Sequence, residues 1–112
     1  MATFSLKGSE RSAVSGARTL GPAEPTERLE ASILVRRRAA ADLKARVAAI
    51  AAGAPGPFLS REEFAQRFGA DPQDLAAVRW FASANGLAVV QEDAARRTVV
   101  VSGTVSQFNA VF

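Results

Sequence analysis

The chain contains no cysteine, no histidine and no tyrosine. Without cysteine there is no disulfide, no thiolate nucleophile and no thiolate metal site. Without histidine the commonest general base and the commonest zinc ligand are gone as well. The acidic pairs that remain are Glu62 with Glu63, Asp71 with Asp74, and Glu92 with Asp93. All stand at expected helix starts or at a strand end, where capping and solvation account for them without chemistry. The sequence therefore assigns no catalytic residue, no cofactor-binding residue and no metal ligand, and the chain is not expected to be an enzyme. No apolar run approaches the ~18 residues that span a bilayer. The first residues, Met1-Ala-Thr-Phe-Ser-Leu-Lys7, lack the basic start and apolar block of a signal peptide.

What is present suits one domain with one core: 112 residues, 48% of them hydrophobic. Basic residues number 14 and acidic residues 11, a net charge of only +3. The computed isoelectric point of about 10.6 exaggerates that balance, because nothing titrates between the carboxylates and lysine. The two signs are interspersed, whereas a nucleic-acid binder concentrates its charge on one surface. The one dense cluster is Arg36-Arg37-Arg38. Clustered guanidiniums neutralise phosphates, but the expected strands carry no aromatic residue on which a base would stack. The triplet is read instead as a charged strand end, solvated or facing a protein partner.

Residues 1–26 are rich in glycine, proline, serine and alanine and show no period of 2 or 3.6, so they predict an extended arm. From residue 27 the pattern changes. Leu29, Ala31, Ile33 and Val35 alternate with Glu30, Ser32, Leu34 and Arg36, the period of a strand over residues 27–37 with one face buried. Leu34 is the apolar exception on the polar face. Residues 39–52 predict an alanine-rich helix with Leu43, Val47 and Ile50 as a narrow apolar stripe, stopped at Gly53 and by Pro55 and Pro57.

The next two helices carry strong start signals. Ser60 and Glu63 form a capping box, with Leu59 and Phe64 as a hydrophobic staple, and Gly69 ends the helix. Asp71 is the next N-cap and Pro72 occupies the first helical position. Leu75, Val78, Phe81 and Ala82 make the buried stripe there, and Asn85-Gly86 supplies the exit. Trp80 lies beside that stripe, covering the flank of the core or anchoring a partner. Residues 87–92 and 98–102 predict two strands joined as a hairpin through 93–97. Thr104 caps a last helix, with Gln107 completing its box and Val105, Phe108 and Phe112 on one side. The segment Ser102-Gly-Thr-Val-Ser106 is the same kind of feature, a strand end and a helix cap.

The order β, inserted helices, α, β, β, α predicts an α+β fold. Its plan is ferredoxin-like: an antiparallel sheet packed on two main helices, with extra inserted helices and the fourth strand missing. That would leave the first strand with unpaired backbone groups along one side. The last helix has no C-cap and its apolar face still runs at Phe112, so residues 27–112 are expected to be truncated at the C-terminus.

Three segments, Phe64-Ala-Gln-Arg-Phe-Gly69, Gly86-Leu-Ala-Val-Val90 and Arg97-Thr-Val-Val-Val-Ser-Gly-Thr104, together with Gly8-Ser-Glu-Arg11 and Gly21-Pro22, carry a family resemblance. The chain resembles the activation prodomain of the sedolisin, or kumamolisin-like, serine-carboxyl peptidases, without their catalytic domain. The resemblance covers residues 27–112. It implies a zymogen propeptide that binds its cognate secreted endopeptidase, assists its folding as an intramolecular chaperone and masks the active site until removed. The implied partner is the peptidase catalytic domain, with no nucleic acid and no membrane, and the implied location is extracellular. Sedolisin catalytic domains carry a Gly-Thr-Ser nucleophile motif, and Gly103-Thr104 stops short of it because Val105 stands where the serine would. Leu34, Arg36, Arg37 and Arg38 are the expected interface residues. The alternative is a stand-alone ferredoxin-like binding module for nucleic acid or a small effector.

Overall fold

The computed structural model describes residues 4–54 and 56–112. Among these it places three strands and four helices: β1 (Arg28–Leu34), α1 (Ala40–Ala51), α2 (Arg61–Phe68), α3 (Pro72–Ala84), β2 (Ala88–Asp93), β3 (Thr98–Thr104) and α4 (Val105–Val111). The strands form one antiparallel sheet in the order β1-β3-β2, an α+β architecture. β1 is an edge strand, as the reading of the first strand requires. It is shorter than expected, ending at Leu34 because the three arginines that follow turn toward the helices.

Alternation decides which residues enter the core. Val99 and Val101 of the central strand β3 are fully buried, and Leu75 and Ala82 of α3 and Leu87 meet them there. Ala31, Ile33, Val78, Phe81 and Phe108 pack around this cluster half-buried. Phe68, the last residue of α2, is 1% exposed. Burying a side chain of that size contributes ~1.5–3 kcal/mol. β2 carries a register shift between Val89 and Gln91, a bulge that bends the strand beside the hairpin.

The helix starts follow the expected signals, except that the Ser60–Glu63 box forms only the bond from the Glu63 N–H. The Ser60 side chain accepts from the Glu63 N–H at 3.1 Å, and Asp71 Oδ1 accepts from the Gln73 N–H at 2.8 Å. Thr104 and Gln107 form a complete capping box, with Thr104 N–H donating to Gln107 Oε1 at 2.8 Å and Gln107 N–H to Thr104 Oγ1 at 3.2 Å. Gln107 Nε2 also donates to the Gly86 carbonyl at 3.1 Å, tying the start of α4 to the turn before β2. Gly86 holds φ +71 there, a conformation that favours glycine.

Two expectations about packing are corrected. The stripe Leu43, Val47 and Ile50 does share a face of α1, but no residue of that helix is buried. The helix stands at the periphery, with its stripe facing the connector that leads to α2. Trp80 does not cover the flank of the core: it is 68% exposed on the outer side of α3.

The expected arm begins outside the described residues; from residue 4 to 26 it runs as exposed chain with turns at Leu6–Ser9 and Val14–Ala17, closed by Ser9 N–H to the Leu6 carbonyl and Ala17 N–H to the Val14 carbonyl. Among the described residues its backbone is fastened to the domain at its end, where Val105 N–H donates to the Glu27 carbonyl at 2.8 Å and Ser106 N–H to the Pro25 carbonyl at 3.1 Å. Those two bonds serve the otherwise unsatisfied first N–H groups of α4. The projecting arm explains a radius of gyration of 18.4 Å, against ~13 Å for a compact unit of this length.

Candidate docking surface

α3 and α4 both take one face of the sheet. Arg79 of α3 grips Glu92 through Nη1 at 2.7 and 2.8 Å, and Phe108 of α4 lies against Gly103. The opposite face is open. The register sets Arg28 beside Thr104, Glu30 beside Ser102, Ser32 beside Val100 and Leu34 beside Thr98. On the other side of β3, Ala88, Gln91 and Asp93 complete the rows. The side chains there are mostly polar, short along β3 and longer at Arg28, Glu30 and Gln91, with Val100 apolar at the centre and Leu34 at the edge. Leu34 is 63% exposed, the apolar exception that the alternation singled out.

Between the rows lies a shallow cavity of about 250 Å³ lined by Ser32, Gln91, Asp93, Arg96, Thr98 and Val100. It exists because of the hairpin turn. Asp93 Oδ1 accepts from the Arg96 N–H at 3.0 Å, and Arg97 adopts φ +57. The Arg96 guanidinium returns to within 3.8 Å of Asp93. The sequence marked residues 93–97 only as a turn; the Asp93–Arg96 spacing was the signal for this rim.

The arginine triplet does more than end the strand. Arg36 makes a two-bonded pair with Asp74 at the start of α3, Nε to Oδ2 at 2.8 Å and Nη2 to Oδ1 at 3.3 Å. The hydrogen bond to Asp74, and then its charge, raise the Arg36 pKa above its ordinary value. The guanidinium is thus charged at every working pH, and it remains largely exposed to solvent. Arg37 Nη1 donates to the Phe68 carbonyl at 2.7 Å and Arg38 Nη2 to the Gln66 carbonyl. Both carbonyls lie in the last turn of α2, where helix carbonyls lack partners and the dipole favours cations. The structure thus leaves Leu34 on the open face, turns Arg36 to α3 and gives Arg37 and Arg38 partners on α2.

Four of the six acidic residues named above have structural partners too, and Glu62 and Glu63 stand in the first turn of α2. Asp71 caps α3, Asp74 holds Arg36, Glu92 holds Arg79 and Asp93 shapes the hairpin. Ser106 is exposed, in the first turn of α4. No helix among the described residues is long and apolar enough to cross a membrane.

Comparison with known proteins decides the relationship. The family model described as "Pro-kumamolisin, activation domain" matches residues 15–112. The chain belongs to the pro-kumamolisin activation domain family. A relative, kumamolisin from Bacillus sp. (strain MN-32), is 37% identical over 94 residues, covering 82% of this chain and 17% of kumamolisin. The chain therefore spans about a sixth of the length of that relative. In this activation domain the three resemblance motifs fall on α2 with its terminal glycine, on the turn into β2, and on β3 running into α4. They are the pieces that carry Phe68, Leu87, Val99 and Val101, the buried centre of the unit.

Proposed function

We propose that this chain is a zymogen activation prodomain, a propeptide that binds the catalytic domain of a cognate kumamolisin-like serine-carboxyl endopeptidase, assists its folding and masks its active site until removed. The observation that carries the reading is the family match over residues 15–112 of a chain whose sheet leaves one face open. Docking takes place on that face. Leu34 enters an apolar recess on the peptidase, the small side chains of β3 permit close approach, and Arg36 orients the pair toward carboxylates. Arg37 and Arg38 hold the strand end in place for that contact. The precursor is secreted, as befits an acid-favouring endopeptidase made as a zymogen. The sheet presents no aromatic platform for a nucleic acid, and all three clustered guanidiniums already have partners within the chain, so the binding-module alternative has no observation in its favour.

Titration of the separately produced catalytic domain with this chain, followed by calorimetry and by residual peptidase activity, tests the proposal. Saturable binding supports it. Absence of binding, together with co-purification of RNA, would replace it with the alternative.

A further inference from the structure

Backbone hydrogen bonding is unevenly distributed over residues 27–112. The α3–β2 turn is closed: the N–H groups of Asn85, Gly86 and Leu87 all donate to α3 carbonyls. The β2–β3 turn is equally tied, with Ala70 N–H and Arg97 N–H on the Ala94 carbonyl and Val35 N–H on that of Arg97. The link from β1 to α1 is held by Arg37, Arg38 and the Arg38 N–H on the Gly69 carbonyl. Residues 56–60 differ. Among the described residues no acceptor is bonded to the N–H of Phe58 or Leu59. Arg46 holds only the Pro57 carbonyl from one side. Phe58 is 90% exposed, at the rim of an open apolar groove between α1 and the connector.

An endopeptidase needs substrate backbone free to pair across its cleft, and a side chain to seat beside the scissile carbonyl. Phe58 and Leu59 offer both. We infer that the Phe58–Leu59 bond is a peptidase processing site within the domain, cut by an endopeptidase that accepts an aromatic residue on the carbonyl side. Taking the partner peptidase as the agent rests on the proposed function; the site itself does not. In the cut, water adds across the amide: its hydroxyl goes to the Phe58 carbonyl carbon, a proton goes to the Leu59 nitrogen, and the C–N bond breaks.

The consequence follows from what lies on either side. The amino-terminal piece contains the arm, β1 and α1; the other contains α2, α3, β2, β3 and α4. α1 buries no residue, so it adds little to holding the pieces together. β1 stays through its ladder with β3 and the contacts of Arg36, Arg37 and Arg38. Before the cut, the tether keeps β1 at a high effective concentration beside β3. Afterwards the same contacts must hold a free peptide, and dilution dissociates it. Leu34 and Arg36 leave with that peptide, so one cut dismantles the open face and makes release irreversible.

Limited digestion of the full chain with chymotrypsin at neutral pH, read by intact mass, tests the site. The first cut within residues 27–112 is expected after Phe58. Its two products should co-elute when concentrated and separate on dilution, and Phe58→Ser should remove the product ending at residue 58. A first cut after exposed Trp80, or products that stay together at every dilution, would overturn the inference. Binding of uncut Phe58→Ser to the catalytic domain separates the two readings. A chain that binds but is first cut elsewhere loses only the processing site. A chain cut after Phe58 that does not bind loses only the partner.

Discussion

Arg37 donates from its guanidinium to the carbonyl oxygen of Phe68 at 2.7 Å, while its Cζ stands 5.4 Å from the centre of the Phe64 ring. One side chain from the end of β1 thus closes the C-terminus of α2 and covers an aromatic ring on the same helix. Phe64 and Phe68 are themselves in contact, their ring centres 5.8 Å apart. The basic run is therefore a clasp between sheet and helix before it is anything else.

Removing the clasp has a defined cost. Arg37→Ala should lower stability by ~1.5–3 kcal/mol, the range for a part-buried hydrogen bond made by a charged donor. Arg37→Lys should recover only part of that, because an ammonium lacks the planar fork that reaches the carbonyl and lies over the ring. Urea unfolding with an unchanged slope is the measurement. Equal stability of Arg37→Ala and the wild type would mean that the clasp is a surface contact only.

The phenylalanines should rank by burial. Phe68→Ala removes a side chain that is 1% exposed and should cost ~3–5 kcal/mol. Phe64 and Phe81 are half-buried, so each alanine substitution should cost less, ~1–3 kcal/mol. The order Phe68 first is what thermal or urea unfolding checks. A larger loss at Phe64 than at Phe68 would contradict the packing at the end of α2.

Gly69 should resist even the smallest side chain. Its φ of −77° suits any residue. The constraint is space: a Cβ there would stand 2.7 Å from the Ala94 carbonyl oxygen and closer still to that of Ala65. Both are backbone atoms and cannot rotate away. Gly69→Ala should therefore destabilise by ~1–3 kcal/mol, the scale of overpacking, and weaken the bond from Ala70 N–H to the Ala94 carbonyl at 2.8 Å. Hydrogen exchange at Ala70 faster than in the wild type is the specific readout. An unchanged rate there would show that the junction relaxes.

Much of this architecture was legible because local rules and tertiary packing agree. The two-residue alternation gave the half-buried face of β1 at Ala31 and Ile33, although Leu29 at the strand's start is exposed, and Ser60, Asp71 and Thr104 each cap the helix they were expected to start. Leu34 was visible as an apolar residue out of step, and it lies on the open face. What stayed hidden depends on partners distant in sequence. The spacing of Leu43, Val47 and Ile50 defines a face of α1 but does not say whether anything covers it. Trp80 sits beside the α3 stripe, and periodicity alone could not choose between a core flank and solvent. The triplet's partners, Asp74, Phe68 and Gln66, lie 28 to 38 residues away. A charge run in one dimension carries no trace of them.

The last expectation concerns the open face. Leu34 is the apolar residue at its edge, opposite Thr98 and two residues before Arg36. Its side chain holds no core together, so Leu34→Glu should leave helical content and unfolding cooperativity unchanged. At a docked interface the same change places a carboxylate in an apolar recess and should weaken binding to the catalytic domain by ~1–3 kcal/mol. Acid should weaken the complex as well. Arg36 keeps its charge throughout, as any guanidinium does at neutral and acidic pH, so the change comes from the partner: its carboxylates lose charge as the pH falls through ~4. Titrations of wild type and Leu34→Glu at neutral and acidic pH check both statements. Equal affinities for the two chains would move the interface off this face, and tighter binding in acid would reverse the proposed release.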